Sequence, residues 1–312
     1  MITATKSIKE NKKISVSEII TNRVINNLKN KNGEYSMPPW FNTPRKTYNP
    51  CTKSHFYGLN QLLLNKDIDQ KRSDLYLREE DIELIGGDVA DYAKPYYIIQ
   101  PTSSFLFNQL KYTNDTDAHD LKVKYLKVYN YDDVYNISPS STLAYLNLYE
   151  DYIFKKRESN NIVRAMVKGT DLRMILEGKE SFYDKKRDIL VMPSMDSYNN
   201  ISSFYGNLFR VLSFAVSHPK RLNMPEIKFS KEIYTVNDFN EKRVTYSSIV
   251  ADMTMAYISS KLNNPYKVQR SNEYIYSLIN TLKDNHTILL KASYQSYVIS
   301  NYLLKLGKTI SI

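Results

Sequence analysis

Cys51 and His55 are the one thiol–imidazole pair at short spacing, four residues apart in a proline-rich stretch. A working Cys/His pair needs a third group to orient the imidazole and a lowered thiol pKa. Nothing near 51–55 supplies either, so the pair reads as incidental. The four histidines are His55, His119, His218 and His286. A catalytic zinc takes three protein ligands plus water, and a helical pair of ligands falls at i and i+4. No two of these histidines are spaced that way. Gly86-Gly87 is followed by no Gly-Lys-Ser/Thr, so it reads as a turn and not a phosphate loop.

The other arrangement with chemistry in it is cationic and aromatic. Between residues 38 and 57, Trp40, Phe41, Tyr48, Phe56 and Tyr57 alternate with Arg45, Lys46 and Lys53, and Lys29 and Lys31 lie just before. Binding a single strand of nucleic acid needs cations along the phosphates and rings for the bases to stack on. Arg45, Lys46 and Lys53 are assigned to phosphates, flanked by Lys29 and Lys31, and Tyr48 or Phe56 to stacking. Trp40, Phe41 and Tyr57 are assigned to the core.

Charge is distributed accordingly. Residues 1–66 carry 11 Lys/Arg against 3 Asp/Glu, residues 67–136 carry 8 against 14, and residues 137–312 carry 24 against 16. A basic front beside an acidic stretch suits a polyanion held in one direction. A lysine-rich surface from an AT-rich genome is the plainer account of the same charge. The chain has 27 tyrosines and 8 glycines, and packing must account for most of those rings. One cysteine excludes an internal disulfide and a thiolate zinc site, and it fits a reducing cytoplasm. No apolar run is long enough to span a bilayer, and Met1–Lys6 is not followed by the apolar stretch of a signal peptide.

The elements that would hold these residues follow from periodicity. Ser15 or Ser17 caps a helix carrying Ile19, Ile20, Val24, Ile25 and Leu28, stopped at Asn32-Gly33. Four prolines make 35–55 an irregular loop. A short helix is expected over 58–66, with Leu59, Leu62 and Leu63 inward, and another over 78–87. Strands are expected at 96–99 and at 122–131, the latter alternating through Val123, Tyr125 and Val128. Beyond residue 135 come a helix over 140–158, a β-hairpin over 181–192, and helices near 200–217, 245–262, 270–285 and 287–306. The fold class is α+β. A small α+β unit over 1–135 precedes a mostly helical unit with a β-hairpin over 136–312.

Two sets of residues resemble the ArdC-type antirestriction proteins. In the front half these are Pro39-Trp40-Phe41, Asn49-Pro50, Phe56-Tyr57-Gly58-Leu59-Asn60, Leu62-Leu63-Leu64, Leu75-Tyr76-Leu77, Gly86, Tyr96 to Ile99 and Lys127-Val128-Tyr129-Asn130. Leu75 stands where the family has a tryptophan. In the back half they are Asp188 to Pro193, Phe204-Tyr205, Leu208 to Phe214, His218, Ile249 to Met253, Asn272 to Ile275, Leu282-Lys283 and Lys291-Ala292-Ser293. The resemblance implies a single-stranded-DNA-binding front domain and a zincin-like, metallopeptidase-like back domain.

It also implies where a zinc site would stand. Arg210 replaces the first histidine of the family's His-Glu-x-x-His helix, Val211 the glutamate and Phe214 the second histidine, while Asp252 takes the place of the later ligand. Arginine stays protonated and repels a dication, valine accepts no proton, and phenylalanine offers no lone pair. The expectation is a pseudoenzyme with no metal and no other cofactor, in which Arg210 either pairs with Asp252 or reaches out to solvent. His218 then has a structural role. The function implied is that of a non-enzymatic, antirestriction-like phage or plasmid protein that binds single-stranded DNA and protects or accompanies it on entry. The alternative is a dead peptidase scaffold that engages a host defence or transcription protein, or travels as virion-delivered cargo. Either role belongs in the cytoplasm of a bacterial host, with no membrane partner.

Overall fold

A computed structural model describes residues 15–29, 35–42, 44, 46–64, 72–101, 123–137, 156–224, 233–235, 244–268 and 270–309. Lys31, Arg45, His119, the stop at Asn32-Gly33 and most of the helix expected over 140–158 lie outside the described residues.

The first helix, α1, runs Val16–Leu28. Of its two candidate caps Ser15 serves, its Oγ accepting the amide of Glu18 at 3.2 Å. Ile20, Val24, Ile25 and Leu28 are buried along one stripe. The proline-rich loop is more regular than expected. It contains a small antiparallel hairpin, β1 (Tyr48–Asn49) and β2 (Ser54–His55), turned through Lys53 at φ +53°. The helix α2 occupies Leu59–Leu64 and buries Gln61 and Leu64 together with Leu59 and Leu62. Leu63 is only partly buried, because tertiary packing presents the Gln61–Leu64 side to the core.

Three further strands form one antiparallel sheet. β3 (Tyr76–Arg78) leads into the helix α3 (Glu79–Leu84) and the short strand β4 (Asp88–Val89); β5 (Tyr96–Pro101) and β6 (Val123–Asn130) follow. The order is β3-β6-β5, and β4 pairs separately with β7 (Val134–Tyr135). In β6 the inward residues are Val128 and Asn130, both fully buried, whereas Tyr125 is 43% exposed. The expected alternation therefore mixed two faces: residues 125 and 128 are an odd number apart and point oppositely.

In the back half the first described helix is α4 (Lys156–Gly169), which meets the helix expected over 140–158 only at residues 156–158 and ends at Gly169. Four strands, β8 (Arg173–Leu176), β9 (Phe182–Asp184), β10 (Ile189–Met192) and β11 (Ile233–Thr235), form a sheet ordered β11-β9-β10-β8. β9 and β10 are the expected hairpin, and β8 lies parallel to β10. Around it stand α5 (Ile201–Val216), α6 (Tyr246–Lys261), α7 (Asn272–Asp284) and α8 (Ile288–Thr309). Every residue of α6 from Ile249 to Ser260 is buried, which marks it as the central helix.

One hydrophobic core crosses the midpoint of the sequence. Ile20, Leu28, Trp40, Phe41 and Leu62 belong to the same cluster as Phe209, Ile258, Ile275 and Leu303. Polar contacts seal the joint. Tyr266 donates to the carbonyl of Trp40 at 2.6 Å, the amide of Val268 to that of Phe41 at 2.8 Å, and Ser260 to that of Pro44 at 2.9 Å. Gln61 in turn donates to Ser260 at 2.6 Å. The fold is mixed α+β, with sheets in the N-terminal region and a mostly helical C-terminal part.

Candidate functional site

The helices α5 and α6 pack side by side and bring Arg210 and Asp252 together. Nε of Arg210 donates to Oδ1 of Asp252 at 2.7 Å, with the two side chains 2% and 0% exposed. The hydroxyl of Tyr274, from α7, donates to the other carboxylate oxygen at 3.1 Å. The guanidinium of Arg210 also lies 5.7 Å from the ring of Phe214, one turn further along α5. Arg210 therefore does not reach solvent; its charge is neutralised in the interior, as a buried ion requires.

A second guanidinium completes the cluster. Arg270 lies 5.3 Å from the ring of Phe41 and 5.7 Å from that of Tyr274. Burial pulls its pKa down to about 10, against the favourable field of Asp252 and with that of Arg210. Burial raises the pKa of the Tyr274 phenol, and the adjacent Asp252 carboxylate raises it further, so Tyr274 stays a donor. Charge-assisted hydrogen bonds thus join the three helices at Asp252, and Arg270 ties them to the Trp40-Phe41 turn by lying against the rings of Phe41 and Tyr274.

These side chains do not fit a divalent metal. Val211 and Phe214, both buried, supply no donor atoms; Arg210 supplies a fixed positive charge; and the carboxylate of Asp252 has its two oxygens engaged by Arg210 and Tyr274. Among the described residues, no three His, Cys, Asp or Glu side chains stand close enough to hold a metal ion. His218 is partly buried and sets its ring edge against Tyr183, with centroids 6.3 Å apart. It adjoins a separate anchor, in which Arg221 reaches Asp188 through two bonds of 3.0 and 3.1 Å and Tyr183 donates to Asp188 at 2.8 Å.

The front-half residues are distributed differently. Lys29 and Lys53 are exposed, on α1's end and on the β1–β2 turn. Tyr48 is partly buried, with His55 edge-on at 4.9 Å. Cys51 and His55 do not act together: Cys51 packs on the Leu77, Ile82 and Ile85 cluster, while His55 faces a cavity. Trp40 and Phe41 are core residues, 1% and 0% exposed, but Tyr57 is not. It is 42% exposed, and the ammonium of Lys261 sits 3.7 Å from its ring centre. The acidic stretch is partly spent locally, in the pairs Arg72–Asp133 at 2.6 Å, Arg78–Asp81 at 2.7 Å and Lys127–Glu79 at 3.3 Å.

That cavity, of about 510 Å³, lies where the front segment meets the ends of α6 and α8. Lys46, His55 and Phe56 line it together with Lys261, Lys305 and Lys308. Lys46 and Phe56 were expected to act in the front half alone. The three lysines of the back half were missed. Lys305 and Lys308, three apart on one helix face, were the available signal; Lys261, in the last turn of α6, carries no local signal beyond that of any helix-end cation.

The architecture places the protein in a class. Residues 161–295, which include α5, α6 and α7, match the model of a zincin-like metallopeptidase family. The fold is that of an ArdC-type antirestriction protein. The metal-free crystal structure of antirestriction protein ArdC from plasmid R388 matches over 95% of this chain and 98% of its own, at 16% identity and a TM-score of 0.66. The Mn(II)-bound structure of the same protein matches over 94% and 98%, at 16% identity and a TM-score of 0.67. No curated protein matches the sequence significantly. Among the described residues, no helix is long and apolar enough to cross a membrane.

Proposed function

We propose that this protein is a non-enzymatic, antirestriction-like protein of a phage or plasmid that binds single-stranded DNA and shields or accompanies it on entry into a bacterial cytoplasm. The observation that carries the non-enzymatic part is the Arg210–Asp252 pair at 2.7 Å, buried where the resemblance places metal ligands. An internal guanidinium in that position leaves neither a Lewis acid nor a basic carboxylate to activate water. The fold shared with ArdC supports the antirestriction role.

DNA binding is supported by the front segment. Lys53 stands exposed on the hairpin turn, Lys46 and Phe56 line the cavity, and Arg45 adjoins them in sequence. Cations beside accessible rings are what sequence-tolerant strand binding uses. The test is a gel shift on single-stranded oligonucleotides across a salt series. Binding that falls steeply with salt supports the reading, and no binding at low salt refutes it. Replacing Arg45, Lys46 and Lys53 with alanine should weaken binding to all sequences alike and flatten the salt slope.

A further inference from the structure

The cavity at the joint has a chemistry narrower than strand binding. Four lysines line it, Lys46, Lys261, Lys305 and Lys308, and among the described lining residues none is acidic. They come from three parts of the chain, so their convergence is tertiary. The Lys261 ammonium is fixed over the Tyr57 ring at 3.7 Å. The helix α8 is drawn close by Gly307, where an added Cβ would stand 2.6 Å from Cγ2 of Ile162 and 3.0 Å from its carbonyl. That contact carries Lys305 and Lys308, on the same last turns, to the cavity rim. Phe56, Ile162, Leu262 and Leu304 give the walls an apolar portion.

Size and charge select the ligand. About 510 Å³ falls within the span of roughly 300–1,000 Å³ typical of small-ligand sites, which suits one nucleotide and excludes a duplex. An internal phosphodiester carries a single charge, whereas a phosphomonoester carries about −1.5 to −2 near neutral pH. A site with several converging ammoniums favours the latter.

We propose that this cavity binds a nucleotide bearing a terminal phosphomonoester, with Lys46, Lys261 and Lys308 around the phosphate and Phe56 against the base. The nucleotide is the phosphorylated end of a strand or a free mononucleotide. The proposal rests on the DNA-binding reading only in choosing a nucleotide over other phosphorylated ligands.

The experiment compares, with the full chain, fluorescent single strands of one sequence carrying a 5′ phosphate, a 3′ phosphate or neither, together with thymidine monophosphate and thymidine. One phosphorylated end should bind at least ten times more tightly than the bare strand, and Lys308→Gln and Lys261→Gln should each remove most of that preference. Lys308 is exposed, so its substitution leaves the fold intact; an unchanged melting temperature checks this. Equal affinity for all three strands overturns the proposal and leaves strand binding standing. A preference that survives both substitutions overturns the placement. Binding of the monophosphate but of no strand supports the cavity and refutes the DNA reading, and binding of neither overturns both.

Discussion

Arg210 and Asp252 are 42 positions apart in sequence and meet at 2.7 Å in the interior, with 2% and 0% of their side chains exposed. The carboxylate is shared with Tyr274, so three helices depend on one ion pair.

Removing one partner should cost far more than removing both. Arg210→Met leaves Asp252 charged in the core and should destabilise the protein by about 3–5 kcal/mol, whereas Arg210→Met with Asp252→Leu should recover most of that loss. Urea unfolding of the two single variants and the double variant measures the coupling. Equal losses in single and double variants would contradict it.

Metal removal should change nothing. The side chains around Arg210 do not fit a divalent ion, so prolonged chelation should leave the melting temperature where it was, and added zinc should not raise it. Differential scanning calorimetry checks both arms; stoichiometric zinc in the purified protein would defeat the non-enzymatic reading.

Asp188 sets an acid limit. Burial opposes its ionisation, but hydrogen bonds from Arg221, Tyr183 and Lys220 outweigh burial and hold its pKa at about 2. An unfolded carboxyl titrates near roughly 3.9, so the folded state binds fewer protons between these values. The stability this group supplies is complete above the unfolded pKa and is lost as pH falls through about 2. Asp188→Asn should be less stable at neutral pH and should lack that acid-dependent component.

Lys261 runs the other way. Burial, with Lys46 and Lys308 nearby, lowers its pKa to about 8. Below that value the folded protein holds an ammonium at a cost; between about 8 and the unfolded value of roughly 10.4 the unfolded chain binds more protons, so stability should rise with pH. Affinity for a phosphomonoester should fall over the same rise, since the cation is lost. Titration calorimetry at a series of pH values tests this, and Lys261→Gln should flatten the profile.

Gly307 should tolerate no side chain. A Cβ only 2.6 Å from Ile162 forces α8 away from α4, and overpacking of this kind costs about 1–3 kcal/mol. Gly307→Ala should lower the melting temperature and weaken binding at the cavity together. A variant of unchanged stability would show that the helices separate freely there.

Local pattern was enough for much of this protein. The α5, α6 and α7 helices and the 182–192 hairpin follow from spacing and turn chemistry, which act within a few residues, and so does a serine cap on α1, though the structure chose Ser15 over Ser17. So did the chemical unsuitability of Arg210, Val211 and Phe214 for a metal, because that depends only on side-chain type. What needed the tertiary structure was anything decided by distant neighbours. The short strands β8 and β11 are stabilised by pairing with β10 and β9 and not by their own sequence. Tyr57 was expected in the core, yet it faces outward beneath Lys261, a residue 204 positions later in the chain. The choice of Arg210 between solvent and Asp252, and the meeting of Lys46 with Lys261 and Lys308, were settled by how α5, α6 and α8 pack, since charge acts across space and sequence spacing carries no record of it.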